Sequence, residues 1–233
     1  MLPWHCTAAA VAARTNQFGT IMDCPRVLLA DDHRMLREAF AQLLESRCEV
    51  VGSVGDGRAL LAAAAELRPD VVVVDIGMPL LNGLDATRKL KRSMPEVRVI
   101  ILTINEDPGL AAEAFRAGAS SYLLKNSAVS ELLLAIDRAI QGQTYITPLV
   151  AKSLGGAKAV ASHDSNKKDV TTVRQREVLQ LLAEGHTMKQ TARILKISPR
   201  TVAFHKYGMM KQLGVKTTAE LVQVAVRTRV VSN

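Results

Sequence analysis

Aromatic residues are scarce in this chain: one Trp, three Tyr and four Phe among 233 residues, beside a hydrophobic content of 48%. That balance suits compact domains with aliphatic cores. Cysteine is nearly absent as well. Cys6, Cys24 and Cys48 are scattered, which excludes a disulfide framework and a cysteine metal cluster and points to reduced thiols in a cytoplasmic protein. No apolar run approaches the roughly 20 residues that a membrane-crossing helix needs. The alanine-rich piece inside "MLPWHCTAAAVAARTNQFGTIMD" is too short and too weakly flanked for a signal peptide. Residues 1–25 are expected to be a disordered or non-native extension, with Met22 a possible alternative start.

Acidic residues are lacking at one end only. Residues 1–151 carry 15 Lys+Arg against 17 Asp+Glu, a balance of −2, whereas residues 152–233 carry 15 against 5, a balance of +10. The net charge of +8 therefore belongs to the C-terminal part, as expected of a polyanion-binding module joined to a nearly neutral one.

What is present in the first part is alternation. The apolar runs "RVLLA", "VVGS", "VVVVD", "VIILT" and "SYLL" start at Arg26, Val50, Val71, Val99 and Ser121. They are separated by stretches long enough for a helix and two short loops. This pattern predicts an α/β fold, a doubly wound five-stranded parallel sheet over residues 26–148. The unbroken apolarity of Val71–Val74 marks a strand covered on both faces. Asp107-Pro108 can open a helix, and Gly118 and Gly142 can end two.

Residues 149–169 are rich in Gly, Ser, Ala and Lys and read as a linker, with room for a short helix. Residues 170–233 are helical in pattern. Thr172 with Gln175 and Thr187 with Gln190 have the spacing of capping boxes, and Ser198-Pro199 that of a cap followed by a first-turn proline. Four short helices with a tight turn between the second and third describe a helix-turn-helix module, with residues 198–213 as the recognition helix.

The chemistry of the first domain follows from strand ends. Asp31 and Asp32 follow the first run, Asp75 ends the third, Thr103 ends the fourth and Lys125 follows the fifth. In an open parallel sheet these positions converge on one edge, where such folds place their sites. Crowded carboxylates suit a hard divalent cation such as Mg²⁺, and a carboxylate nucleophile with a lysine and a hydroxyl nearby has the parts for phosphoryl transfer. Taken singly, each residue has a blander role: a turn or cap aspartate, a pair favouring a helix dipole, a rim threonine or lysine.

The motifs "LLADDH", "VVVVDIGMPLLNG", "VIILT", "GASSYLLK", "VRQREVLQLLAEG" and "ISPRTVAFH" resemble a two-component response regulator of the NarL/FixJ type, a flavodoxin-like receiver followed by a LuxR-type helix-turn-helix domain. The resemblance implies that Asp75 accepts phosphate from a sensor histidine kinase. It implies that Asp31, Asp32 and Asp75 hold Mg²⁺ with Gly77 beside them, that Thr103 and Tyr122 form a switch pair, Tyr122 turning inward on phosphorylation, and that Lys125 pairs with the phosphoryl group. The protein would then be a signalling and DNA-binding protein with only weak self-phosphorylation and dephosphorylation.

Basic residues run through the last helices, and the candidate contacts to double-stranded DNA are Lys189, Arg200, Thr201, Ala203, Phe204, His205, Lys206, Tyr207 and Lys211. A stripe including Leu221, Val224 and Ala225 is the expected dimerisation face of a homodimer. The sequence departs from the family at Met188, Thr191, Ala203 and Tyr207, and Gly208 stands inside the recognition helix. These departures keep open a second reading, a receiver-linked interaction module that no longer reads DNA.

Overall fold

The computed structural model describes residues 24–153 and 171–227. The expected extension before residue 24, including Met22, and most of the expected linker lie outside the described residues. The first domain runs β1 (Arg26–Ala30), α1 (Arg34–Leu44), β2 (Glu49–Val54), α2 (Gly57–Leu67), β3 (Val71–Asp75), α3 (Gly83–Ser93), β4 (Arg98–Thr103), α4 (Pro108–Arg116), β5 (Ser121–Leu124), α5 (Ala128–Ile140), β6 (Tyr145–Ile146) and α6 (Pro148–Ser153). Its strands are parallel in the order β2-β1-β3-β4-β5-β6.

The sheet has six strands rather than the five expected. The sixth is two residues that continue β5's edge, pairing Ser121 with Tyr145 and Tyr122 with Ile146. Two residues are too few to show a period of two, so the pattern passed over them. Residues 149–153, expected in the linker, instead complete α6, and Val150 is buried in the first domain's core.

The central strand explains the double winding. Val72 and Val74 enter a core with α2, α3 and α4, while Val71 and Val73 enter the opposite core with α1 and α5. Alternate side chains of one strand thus serve two layers. Gly83 lets α3 start hard against the end of β3: a Cβ there would stand 2.1 Å from the Asp75 carbonyl oxygen. Its amide also donates to the Ile76 carbonyl at 2.9 Å.

The second domain comprises α7 (Val173–Ala183), α8 (Met188–Leu195), α9 (Pro199–Leu213) and α10 (Thr218–Arg227). Thr172–Gln175 and Thr187–Gln190 form reciprocal capping boxes. The Ser198 hydroxyl caps α9 by accepting from the Thr201 amide at 3.0 Å, with Pro199 in the first turn. The core draws on Val178, Leu179, Leu181, Leu182, Ala192, Leu195, Val202, Met209, Leu221 and Ala225, with Leu80 of the first domain packed against it.

Candidate functional site

Of the five residues singled out at strand ends, Asp31, Asp32, Asp75 and Lys125 meet, and Thr103 ends β4, the strand next to β3. Lys125, directly after β5, places its ammonium 2.8 Å from Asp31 Oδ2 and 3.0 Å from Asp75 Oδ2. Both carboxylates are buried, as is Thr103. Asp32 is exposed, and its Oδ1 lies 2.7 Å from His33 Nδ1, which also approaches Asp31 Oδ1 at 3.1 Å. One ligand atom each from Asp31, Asp32, His33 and Asp75 falls within 4.8 Å of the others. His33 joins the cluster without having been anticipated, although it adjoins Asp32 in "ADDH".

Burial pushes the pKa of Asp75 above the usual carboxylate value; the Lys125 charge pulls it back and Asp31 pushes it up further. Burial acts against the charged form of Lys125, yet its hydrogen bond to Asp31 and the charges of Asp75 and Asp31 outweigh that and hold its pKa above the ordinary lysine value. Lys125 thus stays cationic and offsets the repulsion between Asp31 and Asp75. The Gly77 amide adds a hydrogen bond to Asp75.

Asp31, Asp32 and Asp75 fit a hard divalent cation by donor chemistry: three carboxylates from two strand ends, two buried and one open to water. Thr103 stands beside them, its hydroxyl oxygen accepting from the Asn105 amide at 3.1 Å. Tyr122 is fully buried, and its phenol donates to the Asn105 carbonyl at 2.7 Å. Tyr122, expected to turn inward when Thr103 is drawn toward a phosphoryl group, is buried with its hydroxyl bonded in the arrangement described.

On the second domain, Lys189, Arg200 and Lys211 are exposed, as are Arg193, Lys196 and Lys216. The outer face of α9 is open: Phe204 and Tyr207 are 75% and 57% exposed. Phe204 meets His205 edge to face with ring centroids 5.7 Å apart, and the Lys206 ammonium lies 5.4 Å from the Tyr207 ring centroid. Thr201, Ala203, His205 and Lys206 are half-buried at the margins of that face.

The expected dimerisation stripe divides. Leu221 and Ala225 are fully buried in the domain's own core, against helices that include α7, and so are not surface residues. Of the expected three, only Val224 remains partly exposed, flanked by Val222 and Val226. Helical periodicity alone could not tell which apolar side chains the small core would consume.

A junction between the two domains escaped the sequence reading. On α7, Arg176, Glu177 and Gln180 are buried, Glu184 follows at its C-terminal cap, and all four face the first domain. Gln180 accepts from the Asn82 amide at 2.8 Å and donates to the Met78 carbonyl at 3.0 Å. Glu184 accepts from the Leu80 amide at 3.0 Å. Arg176 approaches Asp85 at 3.2 Å, and Lys89 pairs with Glu177. The available signal was four polar residues at helical spacing, but a solvated face gives the same pattern.

Comparison with known proteins identifies the two domains. Residues 27–137 match the response regulator receiver domain, and residues 169–225 match the luxR family of bacterial regulatory proteins. The chain is 32% identical to the response regulator GacA of Pseudomonas aeruginosa over 204 residues, 87% of this chain and 95% of GacA. The chain belongs to the response regulators with a LuxR-type output domain. This response regulator is also 34% identical over 212 residues to the oxygen regulatory protein NreC of Staphylococcus aureus, covering 88% of this chain and 98% of NreC. Among solved structures, RcsB of Salmonella typhimurium matches with a TM-score of 0.60 at 26% identity over 91% of this chain and all of that one. A complex of RcsB with DNA matches with a TM-score of 0.53 at 25% identity, over 86% and 97% of the two chains.

Proposed function

We propose that this response regulator accepts a phosphoryl group on Asp75 from a sensor histidine kinase and binds double-stranded DNA through α9 to regulate transcription in the cytoplasm. The observation that carries the reading is the Lys125 ammonium bridging Asp31 and Asp75 at the strand ends. An Asp75 carboxylate oxygen attacks the phosphorus of the donor phosphohistidine, the P–N bond breaks, and the imidazole leaves with the bonding pair. Lys125 lies where it neutralises the transferred oxygens, and the Thr103 hydroxyl can donate to one of them. Asp31, Asp32 and Asp75, with Gly77 beside them, would hold Mg²⁺, which when bound supplies charge neutralisation at the phosphoryl oxygens. The same geometry supports weak self-phosphorylation and dephosphorylation. Mobile charge of about −1.5 to −2 delivered to a buried site is large enough to bias a packing equilibrium.

For the output domain, Lys189, Arg200, Lys206 and Lys211 would meet phosphates. The open face of Ala203, Phe204 and Tyr207 would meet bases, flanked by Thr201 and His205. Known complexes of RcsB include dimers on DNA, which supports a homodimer here when the protein is phosphorylated or DNA-bound, with Val224 on the contact.

Intact mass after incubation with a small phosphodonor and Mg²⁺ tests the first step. The native chain should gain about one phosphoryl group and Asp75→Asn none. Equal labelling of the two would remove Asp75 from its role.

A further inference from the structure

Arg200, Phe204, Tyr207, Gly208 and Lys211 are all exposed and fall at helical spacing on one stripe of α9. The stripe has a cation at each end and an apolar middle. Among the described residues, Phe204 and Tyr207 are the only aromatics in the set of large exposed hydrophobic side chains, in a sequence poor in aromatics. Ala203 borders them, half-buried. Of Ala203, Phe204, Tyr207 and Gly208, only Tyr207 has a hydrogen-bonding group on its side chain. The carboxamides, carboxylates and guanidinium groups that pair with adenine, cytosine and guanine edges are missing from this middle part.

Gly208 adds a second observation. A Cβ built there meets nothing within 4 Å, and the residue is not among the glycines with positive φ. Neither packing nor backbone conformation within this chain calls for glycine at that position, and glycine weakens a helix relative to alanine. Its effect is outward: next to Phe204, one turn away, it leaves a shallow place where another molecule can come close to the helix backbone. Phe204 itself rests edge to face on His205, with centroids 5.7 Å apart, which steadies an otherwise open ring.

We propose that α9 reads thymine by its C5 methyl group, with Phe204 as the reading side chain, Ala203 and Tyr207 beside it, and Arg200 and Lys211 on phosphates at either end. The proposal rests on the reading of α9 as the DNA-binding helix and names what that helix recognises. Thymine is the base that presents a methyl group in the major groove, and apolar side chains are its natural partners. A methyl set against the Phe204 ring removes apolar surface from water on both sides. An amino group in the same place would lose its hydrogen bonds to water and gain none from the ring. The apolar face therefore attracts one base and disfavours others with no hydrogen-bonded readout at its centre. Cytosine methylated at C5 presents the same group and falls in the same ligand class.

The experiment uses the intact chain with Mg²⁺ and a small phosphodonor present throughout. Duplexes enriched by the native chain from a random-sequence pool are resynthesised with each thymine replaced singly by uracil, which lacks only the methyl group. Fluorescence anisotropy at one fixed salt concentration reads the affinities. One or more replacements should weaken native binding roughly 4-fold, the worth of one buried methyl. At such a position a cytosine duplex should bind more tightly once the cytosine is 5-methylated. Phe204→Ala should bind the thymine and uracil duplexes equally, whereas Phe204→Leu should keep a preference for thymine. Equal native affinity for every uracil duplex, with binding still falling steeply with salt, overturns methyl reading and leaves the DNA-binding reading in place. If Phe204→Ala also loses affinity in that case, the ring wedges between base steps instead. A thymine preference that survives in Phe204→Ala overturns the assignment to Phe204. Failure of the native chain to enrich or retain any duplex overturns the DNA-binding reading and this proposal with it.

Discussion

Thr191 shows how a single side chain can be out of keeping with its place. It is fully buried on α8, and its hydroxyl has no hydrogen-bond partner among the described residues. A buried hydroxyl without a partner costs about 1–3 kcal/mol. Thr191→Val keeps the shape and removes the polar group, so the output domain should gain about 1–2 kcal/mol, read as a higher urea midpoint for its helical transition. A lower midpoint would show that the hydroxyl has a partner and that the cost is illusory. Residues of the acidic site were legible in the sequence for the opposite reason. Asp31, Asp75, Thr103 and Lys125 all sit at the ends of unmistakable apolar runs, and parallel topology alone converts such positions into neighbours. His33 had no such mark, since its approach to Asp31 and Asp32 depends on the turn conformation after β1.

Among the elements, α9 carries the largest share of the DNA-binding reading. Lys206 is half-buried and lies against the Tyr207 ring, a position from which it can reach a phosphate. Lys206→Ala should weaken binding to all duplexes about equally and lower the slope of log K against log salt by about 1. A loss confined to one DNA sequence with the slope unchanged would make Lys206 a base reader. For α10, the burial of Leu221 and Ala225 leaves Val224 as the expected residue that can serve an interface without dismantling the core. Val224→Arg should preserve helical content in the intact chain and lower affinity for a paired site far more than for a half-site. Sedimentation showing one protein per paired site for both proteins would argue against a dimer. Caps and turns made these helices legible, because capping boxes and a Ser-Pro start are local chemistry. The two-residue β6 was not, since its existence depends on the edge of β5 rather than on its own composition.

At the scale of the molecule, charge asymmetry already separated a nearly neutral domain from a basic one, and the structure gives each part its own architecture and core. What the sequence could not disclose was their contact. Arg176, Glu177, Gln180 and Glu184 look like a solvated helix face until Asp85, Lys89, Met78, Leu80 and Asn82 are placed opposite them. Junctions of this kind depend on two surfaces meeting, and neither surface announces its partner. No helix among the described residues is long and apolar enough to cross a membrane, in keeping with the lack of long apolar runs.

The central claim is that a phosphoryl group on Asp75 controls DNA binding by the basic domain. Fluorescence anisotropy on a labelled pool of genomic duplexes tests it most directly, with the intact native chain and Asp75→Asn, each with and without a small phosphodonor, over a series of salt concentrations. Affinity should fall steeply with salt for both proteins, as phosphate contacts require. It should rise on phosphodonor treatment for the native chain only. Binding that is indifferent to salt, or a response to the phosphodonor that survives in Asp75→Asn, would contradict the account.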